Sequence, residues 1–109
     1  MANLLKETKE ILERHSKTFD DILFVGDKSD HSKITVKEIL EHANFEYDDG
    51  YGIEEINTDL ILVGKDFWLE RHEYDGSEWW EYKEMPNISD FDDNEGHVPI
   101  FYRDFYNHT

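Results

Sequence analysis

The chain has 109 residues, which is enough for one domain with one modest core. Its 27 acidic and 11 basic side chains give a formal net charge of −16, which disfavours nucleic acid and anionic membranes as direct partners and favours basic protein surfaces. The absence of cysteine excludes disulfides, thiolate metal sites and cysteine nucleophiles, and the aromatic content of 15% argues against disorder.

The N-terminal segment has the residue spacing of an amphipathic helix. Apolar side chains recur at helical intervals and Asn3 is in position to cap them, so we predict a helix over residues 4–18. Charged residues interrupt the apolar positions, so the segment lacks the apolar core of a signal peptide. No apolar run approaches the roughly 18–20 residues of a membrane span. We therefore expect a soluble cytoplasmic protein with a single domain over residues 1–109.

Two further elements are predicted before the middle of the chain. The apolar run from Asp21 to Gly26 indicates a short buried strand. After a polar loop, Thr35 and Glu38 have the spacing of a capping box and predict a second, short helix. A turn is expected at residues 48–52, where aspartate and glycine cluster.

The strongest structural signal lies in residues 59–85. Three strand-like runs, at residues 60–63, 67–74 and 78–82, are separated by turn sequences and predict an antiparallel meander. Neither face of the middle run is cleanly apolar, so we expect helices on one side of the sheet and water or a partner on the other. The predicted fold class is α+β: a three-stranded antiparallel meander plus one short additional strand, with two or three helices packed on one face.

The C-terminal part of the chain is first acidic and then aromatic. The aromatic residues 98–106 predict a short helix docked on the domain, with an edge strand as the alternative. The acidic stretch 90–96 superficially resembles a calcium-binding loop. Its glycine comes one position late and Phe101 stands where the closing glutamate is required, so we predict no metal site.

The sequence contains no pattern of catalytic residues. Phosphate-binding loops, nucleophile elbows and the zinc-binding HExxH pattern are all missing. His72 lies close to Glu70 and Asp75, but a histidine near carboxylates is expected by chance in so acidic a chain. We therefore predict neither an enzyme nor a cofactor.

Candidate partner-binding residues lie on the meander and in the acidic stretch after it. Carboxylates spread over a sheet can imitate a phosphate backbone, and exposed indoles can anchor a protein interface or stack on a base. Trp79 and Trp80 are adjacent, so on a strand they point to opposite faces. The alternative is a solvated face whose charges protect strand edges from aggregation, with rings that only fill the core. The predicted partner-binding residues are Glu70, Glu73, Asp75, Glu78, Glu81, Glu84, Asp90, Asp92, Asp93, Trp68, Trp79 and Trp80.

A family resemblance is carried by the run FWLERHEYDGSEWWEYK at residues 67–83. It resembles small acidic proteins encoded by bacteriophages and prophages of Gram-positive bacteria. Residues 34–40, 47–52 and 59–64 resemble that group as well, and the similarity covers about residues 20–86. The resemblance implies a viral origin and no catalytic residues. It also implies inhibition of host machinery such as CRISPR nucleases, restriction enzymes or DNA-binding proteins.

Composition and resemblance together give one functional hypothesis and two alternatives. We expect an acidic protein that binds and inhibits a basic, nucleic-acid-handling host protein, by imitating nucleic acid in an anti-CRISPR or anti-restriction role. One alternative is a nucleotide or small-molecule binder in which Trp68, Trp79 or Trp80 stacks on the base. An anionic ligand would further require Arg71, Lys83 and Arg103 to converge on one pocket. The other is a non-catalytic homodimer joined through a sheet edge or the aromatic tail. Neither free nucleic acid nor a membrane is expected as a partner.

Overall fold

A computed structural model describes residues 1–50 and 55–91, and the structural statements below refer to these residues. Within them the chain forms two α-helices, seven strands and two single turns of 3₁₀ helix. The elements are β1 (Ala2–Asn3), α1 (Leu4–Arg14), a 3₁₀ turn (Phe19–Asp21), β2 (Ile22–Asp27), β3 (Lys33–Ile34), α2 (Val36–His42), β4 (Glu46–Tyr47), β5 (Leu60–Gly64), β6 (Phe67–Tyr74), β7 (Ser77–Glu84) and a second 3₁₀ turn (Ile88–Asp90). Neither α-helix is long and apolar enough to cross a lipid bilayer.

Five of the strands form an antiparallel sheet in the order β3-β2-β5-β6-β7, while β1 pairs with β4 in a separate ladder. The α+β class and the meander β5-β6-β7 are confirmed. The sheet is larger than predicted because β2 joins the meander through β5 and β3 extends it beyond β2. Strands β1, β3 and β4 have two residues each, too few for an alternating pattern to reveal them.

Two glycines shape the turns of the meander. Asp75 and Gly76 have φ values of 51° and 86°, which fit the two-residue type I′ turn that the sequence favours between β6 and β7. Gly64 lies against the ring of Phe67, and a Cβ at this position would overlap that ring. The close approach of backbone to ring therefore requires glycine at position 64.

Both helices begin with the caps that the sequence predicts. The side-chain oxygen of Asn3 accepts a hydrogen bond from the Lys6 N–H at 3.0 Å, and the hydroxyl of Thr35 accepts one from the Glu38 N–H at 3.2 Å. Each cap satisfies a backbone donor that has no partner within the helix.

Helix α1 ends at Arg14 rather than at residue 18. The Ser16 N–H donates to the carbonyl of Glu13 and the Lys17 N–H donates to the carbonyl of Leu12, which is the hydrogen-bond pattern of a Schellman motif. Ser16 has a φ of 60°, a left-handed conformation that glycine usually supplies at this position. Because no glycine marks the end, the apolar spacing extended the predicted helix too far.

The helices pack on one face of the sheet, here called the inner face, with α1 against β7 and α2 against β2. The core lies between them, and no helix among the described residues covers the opposite, outer face. The core side chains are Leu4, Ile11, Leu12, Ile22, Val25, Ile39, Ala43, Tyr47, Ile56, Leu62, Phe67, Leu69 and Trp80. Both helices of the described residues thus lie on one side of the sheet, as expected for two of the two or three predicted helices.

Candidate functional site

The outer face of the β6–β7 hairpin presents its side chains in cross-strand pairs. These pairs are Trp68 with Lys83, Glu70 with Glu81, His72 with Trp79, and Tyr74 with Ser77. One pair thus consists of two carboxylates, and an indole lies two residues before each of them on its own strand. We refer to Trp68, Glu70, His72, Trp79 and Glu81 as the outer-face cluster.

Glu70 and Glu81 stand directly opposite each other on neighbouring strands, which is a repulsive arrangement. His72 lies beside both carboxylates, with Nδ1 3.0 Å from Glu81 and Nε2 3.5 Å from Glu70. The Nζ of Lys28 is 3.7 Å from the other oxygen of Glu70. Because the side chains of His72 and Lys28 are 40% and 42% exposed, water screens these contacts and each adds little stability. The repulsion is therefore only partly offset within the chain.

Two of the three tryptophans contribute to the outer surface. Trp79 is 37% exposed and Trp68 is half-buried, whereas Trp80 is only 3% exposed. The indole N–H of Trp80 donates to the hydroxyl of Thr8 at 2.8 Å, so this ring lies on the inner face against α1. Trp79 and Trp80 do point to opposite faces, as expected. The prediction of Trp80 as a partner-binding residue is corrected, because its ring belongs to the core.

Glu78 is also removed from the predicted binding surface. Its side chain is 3% exposed on the inner face, where its carboxylate accepts a hydrogen bond from Arg71 at 3.1 Å. It also accepts the backbone N–H groups of Glu55 and Ile56, at 2.8 and 3.1 Å. Glu78 therefore fixes the connection between β4 and β5 to the sheet, and its prediction as a partner-binding residue is corrected.

Arg71 is the centre of this buried polar network. Its guanidinium donates hydrogen bonds to Glu7 at 3.1 Å and to the hydroxyl of Tyr47 at 3.0 Å, in addition to the one to Glu78. The same guanidinium lies 4.8 Å from the ring centroid of Trp80. The Tyr47 hydroxyl donates in turn to Glu7. Burial raises the pKa of Tyr47 well above its ordinary value, and the hydrogen bond to Glu7 raises it further against the opposing effect of Arg71. The network joins α1, β4, β6 and β7 and has a structural role.

The basic side chains that a nucleotide pocket would require do not converge. Arg71 is buried on the inner face, whereas Lys83 lies on the outer face opposite Trp68. Arg103, the third member of the expected set, lies outside the described residues. The described residues thus provide no shared site for an anionic ligand built from Arg71 and Lys83.

No protein-family model matches the chain, and comparison with curated proteins and with solved structures gives no match. The resemblance to phage and prophage proteins therefore stays a prediction.

The remaining predicted carboxylates lie around the outer-face cluster rather than within it. Glu73 and Asp75 are exposed at the turn end of the β6–β7 hairpin, and Glu84 is exposed at its other end. Asp90 is exposed in the 3₁₀ turn that follows. Glu73 pairs with Glu78 and Glu84 pairs with Phe67, so both belong to the inner-face alternation and not to the face that carries Glu70 and Glu81.

Two of the predicted residues, Asp92 and Asp93, lie outside the described residues, as does the C-terminal helix expected at 98–106. In the part of the chain that is described, no group of three or more histidine, aspartate or glutamate side chains is arranged to hold a metal ion.

Lys28 and His72 belong to the candidate site although neither was predicted as a partner-binding residue. His72 shares the alternation of Glu70, so its position on the outer face could be read from the sequence, but its proximity to Glu81 depends on the register of the hairpin. Lys28 directly follows β2, which lies two strands away from β6 in the sheet. No local sequence pattern indicates its contact with Glu70.

Proposed function

We propose that this protein binds a basic surface of a nucleic-acid-handling protein through the outer-face cluster, and that it inhibits this partner by occupying its nucleic-acid site. The observation that carries the proposal is the opposed carboxylate pair Glu70 and Glu81 on the sheet face that no described helix covers. Such a pair costs stability in the free protein. A guanidinium or ammonium group that approaches the two carboxylates beside His72 relieves the remaining repulsion and forms charge-assisted hydrogen bonds with them.

The indoles of the cluster support a cationic side chain as the group recognised. Trp68 and Trp79 lie diagonally on either side of the carboxylate pair, and Trp79 is 37% exposed. A guanidinium within about 6 Å of an indole face is attracted by the ring electrons, and this attraction adds to an ion pair made by the same group. Tryptophan is also among the residues that contribute most to protein interfaces.

The charge of the whole chain supports a basic partner over nucleic acid itself. A net charge of −16 attracts a basic groove at long range and repels free nucleic acid. Exposed Asp75 adds negative charge at the turn that joins β6 to β7. Together with Asp75, the pair Glu70 and Glu81 presents to such a groove the kind of charge that a phosphate backbone presents.

The proposal is tested by affinity capture followed by competition. The immobilised protein is exposed to bacterial lysate at low salt, captured proteins are identified, and each is purified for a fluorescence anisotropy assay with its DNA or RNA. The expected result is a nucleic-acid-binding protein whose complex with nucleic acid is displaced by this chain. The displacement weakens as salt rises, because exposed ion pairs are screened.

A matched pair of variants shows whether the outer-face cluster is responsible. Glu70→Gln with Glu81→Gln removes the opposed charges and is expected to abolish most of the displacement. Glu13→Gln with Glu46→Gln removes the same charge from exposed positions outside the cluster and serves as the control. Equal loss in both double variants would show that only net charge matters, and capture of no nucleic-acid-binding protein would reject the proposal.

A further inference from the structure

A second surface lies between α2, β3 and the start of β5, where a cleft of about 520 Å³ opens to solvent. Its floor contains Leu4, Ile39 and Ala43, all of them buried, and its walls include Ile34 and Phe45, each 43% exposed. Ligand-binding clefts in proteins have volumes of roughly 300–1,000 Å³ and mainly apolar walls. The volume of this cleft lies within that range, and most of its lining residues are apolar.

The cleft lies on the opposite side of the sheet from the outer-face cluster. Ile34 pairs with Val25, whose side chain is fully buried on the inner face. Directly opposed residues of an antiparallel pair share a face, so Ile34 belongs to the helix-bearing side. A partner bound at the outer-face cluster therefore leaves the cleft accessible. Binding at the cleft is independent of the proposed function.

Three large apolar side chains are partly exposed at or beside this cleft. Besides Ile34 and Phe45, Leu40 on the exposed side of α2 is 42% accessible. Single exposed apolar residues are common on any protein surface, but several of them around one concave region mark a contact site.

The rim of the cleft is acidic. Glu38 and Glu41 line it, together with His42. Lys37 is 3.9 Å from Glu41 in a pair whose side chains are 83% and 53% exposed, so water screens this contact strongly. Glu38 makes no ion pair among the described residues. The negative charge of the rim is thus available to a cation.

We infer that this cleft is a docking site for a segment of a partner protein that inserts a large apolar side chain flanked by lysine or arginine. The apolar floor and walls take the inserted side chain, and Glu38 and Glu41 pair with the flanking cations. Charge complementarity selects this occupant, since the rim and the net charge of −16 both repel an apolar anion such as a fatty acid.

The inference is tested by NMR with three short capped peptides: Gly-Arg-Trp-Arg-Gly, Gly-Glu-Trp-Glu-Gly and Gly-Arg-Ala-Arg-Gly. The first peptide is expected to shift the amide resonances of Ile34, Ala43 and Phe45 in a saturable manner. The other two lack either the cations or the ring and are expected to leave these resonances in place. Equal shifts with all three peptides, or shifts by the first peptide that are confined to the outer-face cluster, would overturn the inference.

Variants separate the cleft from other apolar surface. Phe45→Ser removes one wall and is expected to abolish the shifts at Ile34, whereas Tyr74→Ser changes an exposed ring at the turn end of β6 and is expected to preserve them. Glu38→Gln with Glu41→Gln is expected to weaken peptide binding about two- to tenfold, as the loss of exposed ion pairs allows. Circular dichroism confirms the fold of each variant. Undiminished binding in folded Phe45→Ser would contradict the assignment.

Discussion

The indole nitrogen of Trp80 lies 2.8 Å from the hydroxyl oxygen of Thr8, and both residues are almost fully buried. Thr8 in turn donates its hydroxyl proton to the carbonyl of Leu4 at 2.6 Å. One hydroxyl therefore satisfies the only polar group of a large core ring and fixes α1 against β7.

Thr8→Val is expected to lower the free energy of unfolding by about 1–3 kcal/mol, because the indole N–H of Trp80 is then buried without a partner. Thr8→Ser keeps the hydroxyl and is expected to lose only about 1 kcal/mol for the missing methyl group. Urea unfolding of the two variants measures the difference. A Val variant as stable as the Ser variant would show that the hydrogen bond contributes nothing.

Arg71→Met is expected to destabilise the protein by about 3–5 kcal/mol, because Glu7 and Glu78 then lie buried or half-buried without their cation. Arg14→Met, at the exposed end of α1, removes the same charge and is expected to change stability by no more than about 0.5 kcal/mol. Chemical denaturation of both variants provides the measurement. Similar losses at the two positions would contradict the role assigned to the network.

The pKa of the Asp27 carboxylate is expected to lie below its ordinary value of 3.8. The main cause is the side-chain amide of Asn57, which donates a hydrogen bond to the carboxylate at 2.8 Å. The backbone N–H groups of Ser29 and Asp30 also donate to it and lower the pKa further. Because the pKa of Asp27 is lower in the folded than in the unfolded protein, its ionised carboxylate stabilises the fold at pH values above the unfolded pKa. This stabilisation is lost as the pH falls through the folded pKa.

An NMR titration of the Asp27 carboxyl carbon checks this direction. Asn57→Ala is expected to move the pKa of Asp27 upward, toward 3.8, because the largest cause of the shift is removed. Asn44→Ala removes an amide that pairs with Asn3 instead, and it is expected to leave the Asp27 titration unchanged. A pKa of Asp27 at or above 3.8 in the unaltered protein would refute the assignment.

Ser16→Gly is expected to raise the free energy of unfolding by about 0.5–1 kcal/mol. The left-handed conformation costs an L-residue roughly 1–2 kcal/mol, and glycine avoids this cost. Glycine also loses more backbone entropy on folding, which offsets part of the gain. Ser16→Ala keeps the steric cost and is expected to bring no gain. Thermal unfolding compares the two variants, and a glycine variant no more stable than the alanine variant would rule out strain at this position.

The meander could be predicted from the sequence because its signals are local. Alternation across residues 67–74 and the Asp75-Gly76 turn are contained in neighbouring residues, and the structure has this strand and turn where they were expected. The two-residue turn pairs Tyr74 with Ser77, and every further pair follows from it, including Glu70 with Glu81. The central feature of the candidate site was thus implicit in the turn type.

The parts that could not be predicted depend on distant partners. Glu78 belongs to an acidic series on the sequence, and its burial follows only from Arg71 and from the backbone donors at Glu55 and Ile56. Lys17 closes a helix end that carries no glycine, and the two-residue strands are too short for periodicity. Each of these features is set by tertiary contacts that a local pattern does not contain.

In β6 and β7, successive residues alternate strictly between the inner and the outer face of the sheet. From Phe67 to Glu84, outside the turn, each residue that faces the helices is followed by one that faces outward. A change in a single residue can therefore alter the outer surface while the side chains that pack against the helices stay the same. Substitutions can thus accumulate on the outer face of this strand pair without loss of the fold that displays it.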